Sequence, residues 1–159
     1  MNTFKIVPLS KEYATKIRET KKDDYGNEIV ELVAKGKGPC RISLKPFTVG
    51  EDTRLLLSYS PFTIGNAFNQ TGPIFINGAD VEPYQDIYRF PPEIKADKKS
   101  FPLTLIGYNS EQQMIYTHLV GDDDVDLLIP KIFETKPNVE YLHVRNAEAA
   151  CFICKIERN

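Results

Sequence analysis

The feature that most constrains this chain is its punctuation. Nine short runs rich in β-branched and apolar residues are separated by Gly, Pro, Asn and Asp: Phe4 to Val7, Glu28 to Ala34, Cys40 to Leu44, Leu55 to Tyr59, Pro73 to Asn77, Leu103 to Tyr108, Met114 to Val120, Tyr141 to Arg145 and Cys151 to Ile156. Runs of this kind read as strands. The connections at Asn109 to Gln113 and Asn146 to Ala149 are too short for a parallel crossover, so both pairs are expected to be antiparallel hairpins. Two helices interrupt the strands. Ser10 is a plausible N-cap for one running to about Lys22, with Tyr13, Ala14 and Ile17 on its inner stripe. Asp122 to Asp124 precede a second, with Val125, Leu127, Leu128, Ile132 and Phe133 as its apolar face and Pro137 closing it. Pro130 is discordant there, since a proline inside a helix costs about 3 kcal/mol. The class that fits is α+β, a mainly antiparallel sheet or partial barrel with two helices. Residues 60–72 and 78–100 read as long loops, and loops of that length are candidate walls of a site.

With 159 residues the chain is expected to form one globular domain over residues 1–159, since a chain of this length buries roughly 70% of its unfolded surface. Twenty Lys+Arg against 22 Asp+Glu argue against nucleic acid as a partner, which calls for a dense basic face. Three cysteines cannot all pair, and Met1 to Ser10 lacks the apolar core of a secretory signal, so a cytoplasmic location is expected. The apolar stretches at Leu55 to Leu57 and Leu127 to Ile129 fall far short of the ~20 residues that cross a bilayer, which argues against a membrane protein.

Most motif matches dissolve in context. Cys151-Phe152-Ile153-Cys154 has the C-x-x-C spacing of zinc and redox sites, but it lies in a predicted strand, where residues three apart face opposite sides. Asp122-x-Asp124-x-Asp126 lacks the glycine and glutamate of a calcium loop, so helix capping is the better reading. Gly36-Lys37-Gly38 reads as a turn. No hydrolase signature is present, and nothing in these patterns calls for a metal or a cofactor.

The informative strand is Tyr141 to Arg145. Tyr141, His143 and Arg145 alternate on one face, while Leu142 and Val144 take the other, which reads as the core side. A phenol, an imidazole and a guanidinium in line suit a small anion, a carboxylate or a phosphate. Which residues of the last strand share that face depends on the hairpin. A two- or four-residue loop places Cys154 and Ile156 with His143, and a three- or five-residue loop reverses this. In the Cys40 to Leu44 run the same alternation sends Arg41 away from the apolar row, and Arg41 and Arg54 join Arg145 around an anion if their strands are neighbours, an adjacency the sequence does not fix.

Pro39 to Leu44, Gly50-Glu51 with Leu55 to Leu57, Pro73 to Ile76, and above all Tyr141-Leu142-His143-Val144-Arg145-Asn146-Ala147 with Cys151 together resemble the bacterial domain-of-unknown-function family 1203. The resemblance covers roughly residues 35–159. It implies a stand-alone bacterial protein of about this length with no established activity, and it draws attention to Cys40, Arg41, His143, Asn146 and Cys151. Members often carry a glycine before the last cysteine and a second histidine two positions after the first. Ala150 and Arg145 stand there instead, and the arginine weakens a metal reading while strengthening an anion reading.

Three functions follow as expectations. The first is a module that binds a small anionic ligand through Arg41, Tyr141, His143, Arg145 and Asn146. The second is an enzyme whose nucleophile is Cys40 or Cys151, with His143 as its base. The third is a protein-interaction module working through the Tyr88 to Glu93 loop or a sheet edge. The sequence does not fix an oligomeric state.

Overall fold

Two antiparallel sheets organise the protein, as seen in a computed structural model that describes residues 2–159. In chain order the elements are β1 (Phe4–Val7), α1 (Lys11–Thr20), β2 (Val30–Val33), β3 (Thr53–Tyr59), β4 (Gly72–Asn77), α2 (Pro92–Ala96), β5 (Leu103–Tyr108), β6 (Met114–Leu119), α3 (Val125–Thr135), β7 (Tyr141–Asn146) and β8 (Phe152–Arg158). The larger sheet has the order β1-β8-β7-β5-β6 and the smaller β2-β3-β4, and neither closes into a barrel. The class is therefore α+β with antiparallel sheets. None of the helices is long and apolar enough to cross a membrane.

The local chemistry accounts for the helices. The Ser10 hydroxyl accepts from the Tyr13 N–H and starts α1, which ends at Lys21 in a left-handed conformation, a residue short of the expected Lys22. Asp124 caps α3 by accepting from the Asp126 N–H. Pro130 sits inside α3 without ending it, because Val125, Leu128, Ile129, Ile132 and Phe133 are buried against the larger sheet. The third helix, α2, is a single turn within residues 78–100. Pro92 occupies its first turn, where a missing N–H costs nothing.

One expected strand is not a strand. Residues 41–43 form a turn, closed by the Leu44 N–H on the Cys40 carbonyl (2.9 Å) and the Cys40 N–H on the Lys45 carbonyl (3.0 Å), with Leu44 at φ 53°. These two bonds close the main chain on itself, although the Arg41 N–H still donates to the Phe75 carbonyl of β4 (3.1 Å). The alternation argument fails with the strand: Arg41 does not point outward but is 3% exposed.

Apolar side chains collect in separate cores. The largest lies between the bigger sheet and α3, and draws on Leu142 and Val144, Leu105, Ile156, Phe90 and Phe101. A second joins α1 to the smaller sheet through Ala14, Ile17, Leu55, Leu57, Ile74 and Ile76. The sheets meet where the Tyr59 ring of β3 faces the Phe152 ring of β8 at 5.7 Å.

Candidate functional site

β7 lies between β5 and β8, so it has main-chain partners on both sides and cover on both faces. Leu142 and Val144 enter the main core, as their alternation predicts. Tyr141, His143 and Arg145 occupy the opposite face, beside Tyr108 and Ile106 of β5, which pair with Tyr141 and His143. The hairpin β7–β8 begins with Asn146, whose side-chain oxygen accepts from the Glu148 N–H (2.9 Å) and the Ala149 N–H (2.8 Å). Four residues, 147–150, separate the Asn146–Cys151 bond, and Arg145 stands opposite Phe152. Then the register slips: Val144 pairs with Cys154 and His143 with Lys155. Ile153 is the extra residue of a bulge, and it sends Cys154 and Ile156 to the core face while Phe152 stays on the His143 face. Neither simple loop length anticipates this split.

The face that results is an aromatic box around an imidazole. His143 is fully buried, and its ring centroid lies 4.6 Å from Tyr108, 5.0 Å from Phe152, 5.1 Å from Phe62 and 5.2 Å from Tyr141. Phe62 reaches it from the loop of residues 60–72. That loop is tied to the β5–β6 turn by Gln112, whose side-chain oxygen accepts from the Thr63 and Ile64 N–H groups. Neither ring nitrogen of His143 has a hydrogen-bond partner. Burial, followed by the positive charges of Arg145 and Lys155, pushes its pKa down to about 3, so the ring is neutral near pH 7.

Arg145 is 6% exposed. Its Nη1 donates to the Ala150 carbonyl (3.1 Å), and its Cζ lies 6.0 Å from the Phe152 ring centroid. Nε and Nη2 are buried without partners. Those two nitrogens form the side-on fork of a guanidinium, the edge that matches the two oxygens of a carboxylate or phosphate. Burial raises the pKa of the Tyr108 phenol, an effect opposed by the Arg145 charge and by the close approach of its guanidinium to the phenol oxygen. Burial also lifts the Tyr141 phenol to about 12. Four unpartnered nitrogens thus share one enclosed face with two neutral phenols.

The other predicted residues are placed differently. The Arg41 Nε donates to the Phe152 carbonyl (2.7 Å) and its Nη1 to the Pro39 carbonyl, so this guanidinium ties the main chain of the same phenylalanine to that of Pro39. Arg54 stacks on Phe75, with its Cζ 3.9 Å from the ring centroid. Asn146 shapes the turn. The Cys40 sulfur accepts from the Asn77 N–H (3.3 Å), and the buried Cys154 thiol is pushed up to about 12 by burial. Cys151 is half-buried, 3.7 Å from the Ala149 carbonyl. The partners of His143 are aromatic rings, whereas all three thiols lie within electrostatic range of Arg41. Among the described residues no group of three or more His, Cys, Asp and Glu side chains is arranged to hold a metal ion. The sequence reading missed Phe62, Tyr108 and Phe152 as walls of the box. The loop 60–72 carries two phenylalanines, Phe62 and Phe68, and nothing in its sequence singles out Phe62 as the one that turns inward.

A family model described as a protein of unknown function, DUF1203, matches residues 37–158, most of the chain. No curated protein and no solved structure matches significantly.

Proposed function

The chain belongs to the DUF1203 family, and from that premise we propose that it is a binding module for a small anion, received by Arg145 and His143. The observation that carries the reading is the Nε–Nη2 fork of Arg145, buried and unpartnered beside an imidazole with two free nitrogens. A buried charge without a partner costs several kcal/mol, and a carboxylate on the fork offsets that cost through two charge-assisted hydrogen bonds. The neutral His143 has one N–H, which supplies a third. Three donors within apolar walls suit a carboxylate better than a phosphate dianion, whose remaining oxygens would face aromatic rings unpaired. Phe62, Tyr108, Tyr141 and Phe152 then receive the apolar body of the ligand.

Thermal unfolding against a panel of mono- and dicarboxylates and phosphates tests this. A ligand at a hundred times its Kd adds about 2.7 kcal/mol, which raises the melting temperature by roughly 5–10 °C for a chain of this size. Wild type is expected to respond to apolar carboxylates and Arg145→Met to none. A panel without any shift, or a shift that Arg145→Met retains, overturns the proposal.

A further inference from the structure

The larger sheet ends differently on its two sides. At β1 the outer edge is covered, since the Ile6 N–H donates to the Ile87 carbonyl (2.7 Å). At β6, among the described residues, every main-chain bond goes to β5 and the outer edge is bare. Bare edges are ordinarily guarded by charge, proline, shortness or a bulge, and β6 carries one of these at its start, where the register slips at Ile115 and leaves Tyr116–Leu119 as the regular open edge. β6 has six residues, Met114–Leu119, with no Lys, Arg, Asp, Glu or Pro. The open edge of β2 is shorter and carries Glu31. The two most exposed large apolar side chains among the described residues also border β6: Leu119 at 66% and Leu127 of α3 at 73%. Ile115 is 45% exposed.

From this the geometry points to β6 as the interface with a second copy of the chain, joined edge to edge so that the two larger sheets become one. The pattern is self-complementary. Tyr116 and His118 lie on the α3 side, opposite Gly107 and Leu105, whereas Thr117 and Leu119, opposite Ile106 and Thr104, lie on the other side; Ile115 is the unpaired residue of a bulge between them and Met114. An antiparallel pair with its two-fold axis at Thr117 covers Leu119 of each copy beside the Ile115 bulge of the other. On the α3 side the same axis sets Tyr116 against His118. Lys136 stands over the Tyr116 ring (Nζ 5.4 Å from its centroid), and Asp123 is bonded to His118 (3.3 Å). The pairing therefore brings the lysine of one copy to the carboxylate of the other. Leu127 lies near Tyr116 and His118 in a cleft between β6 and α3, at the margin of the same contact. An isologous contact of this kind is the commonest way for a chain to pair with itself.

Sedimentation velocity on the full chain, from low micromolar to several hundred micromolar, tests the inference. Wild type is expected to shift from monomer to dimer across that range, with exchange of the β6 amides slowing as concentration rises. Leu119→Lys and Ile115→Lys are each expected to weaken dimerisation at least roughly tenfold, with unchanged circular dichroism. Leu127→Glu serves as a third arm if either variant misfolds. A wild type that stays monomeric, or a dimer that resists all folded variants, overturns the inference. So does a monomer whose β6 amides are protected only by an added extended peptide, which assigns the edge to another protein.

Discussion

Two arginines flank one phenylalanine in this protein, and both are almost wholly buried. Arg41 gives its Nε to the Phe152 carbonyl and its Nη1 to the Pro39 carbonyl. Arg145 gives Nη1 to the Ala150 carbonyl and keeps its Nε and Nη2 free. Neither has a carboxylate partner among the described residues. Burial brings the Arg41 guanidinium down to about 10, opposed by the three thiols around it, but the charge is still retained near pH 7. Burial alone therefore does not separate a structural arginine from a binding one. What separates them is whether the donor set is used up: the first is a strut between two carbonyls, the second a receptor with its fork open.

The largest test of this contrast concerns the histidine beside the open fork. Its pKa is about 3 in the folded chain against 6.5 when unperturbed. Between those values the unfolded chain binds a proton that the folded chain refuses, so the stabilisation is whole above pH 6.5 and is lost as pH falls toward 3. The loss approaches roughly 5 kcal/mol by pH 3, at about 1.36 kcal/mol per pKa unit. Urea unfolding of wild type and His143→Leu across pH 3–7 is expected to show a steeper acid decline in wild type. Parallel curves would mean that the imidazole is solvated or paired.

Next in size is the strut. Arg41→Ala leaves two carbonyls without their donor and opens a hole in packed surroundings, for a loss of about 3 kcal/mol and a fall of roughly 6–12 °C in melting temperature. The stabilisation gained from a carboxylate should survive in that variant. If it vanishes, the two arginines act on the ligand together.

Smallest in stability, and opposite in character, is Arg145→Met. Replacing a buried, unpaired charge by an apolar chain of similar length should leave the ligand-free protein within about 1 kcal/mol of wild type, or above it, while ligand stabilisation disappears. A loss as large as that of Arg41→Ala would show that the Arg145–Ala150 bond holds the hairpin, and the distinction between the two arginines would collapse.

Some of this was legible in the sequence. Short connections at Asn109–Gln113 and Asn146–Ala149 demanded antiparallel pairs, and both hairpins are present. The alternation in Tyr141–Arg145 separates the Leu142/Val144 core face from the His143/Arg145 face correctly. The pairing of β1 with β8, which joins the two ends of the chain, carries no local signal at all. The turn at Cys40–Leu44 was hidden, since three apolar residues at alternate positions imitate a strand even where the main chain closes on itself. The bulge at Ile153 was hidden for a related reason. One extra residue in a continuous apolar run leaves the composition unchanged and yet reverses which side chains share a face. It brings Phe152 to His143 and turns Cys154 away, and so decides whether the imidazole meets an aromatic ring or a thiol.

The difference between the two guanidiniums can be read atom by atom. In a nitrogen-15 labelled sample, the Arg145 Nε–H resonance should move progressively downfield as an apolar carboxylate is titrated, with the Arg41 Nε–H, already bonded to the Phe152 carbonyl, holding still. An Arg145 Nε–H resonance that stays fixed through saturating concentrations of every carboxylate in the panel would contradict the claim that its fork is an anion receptor.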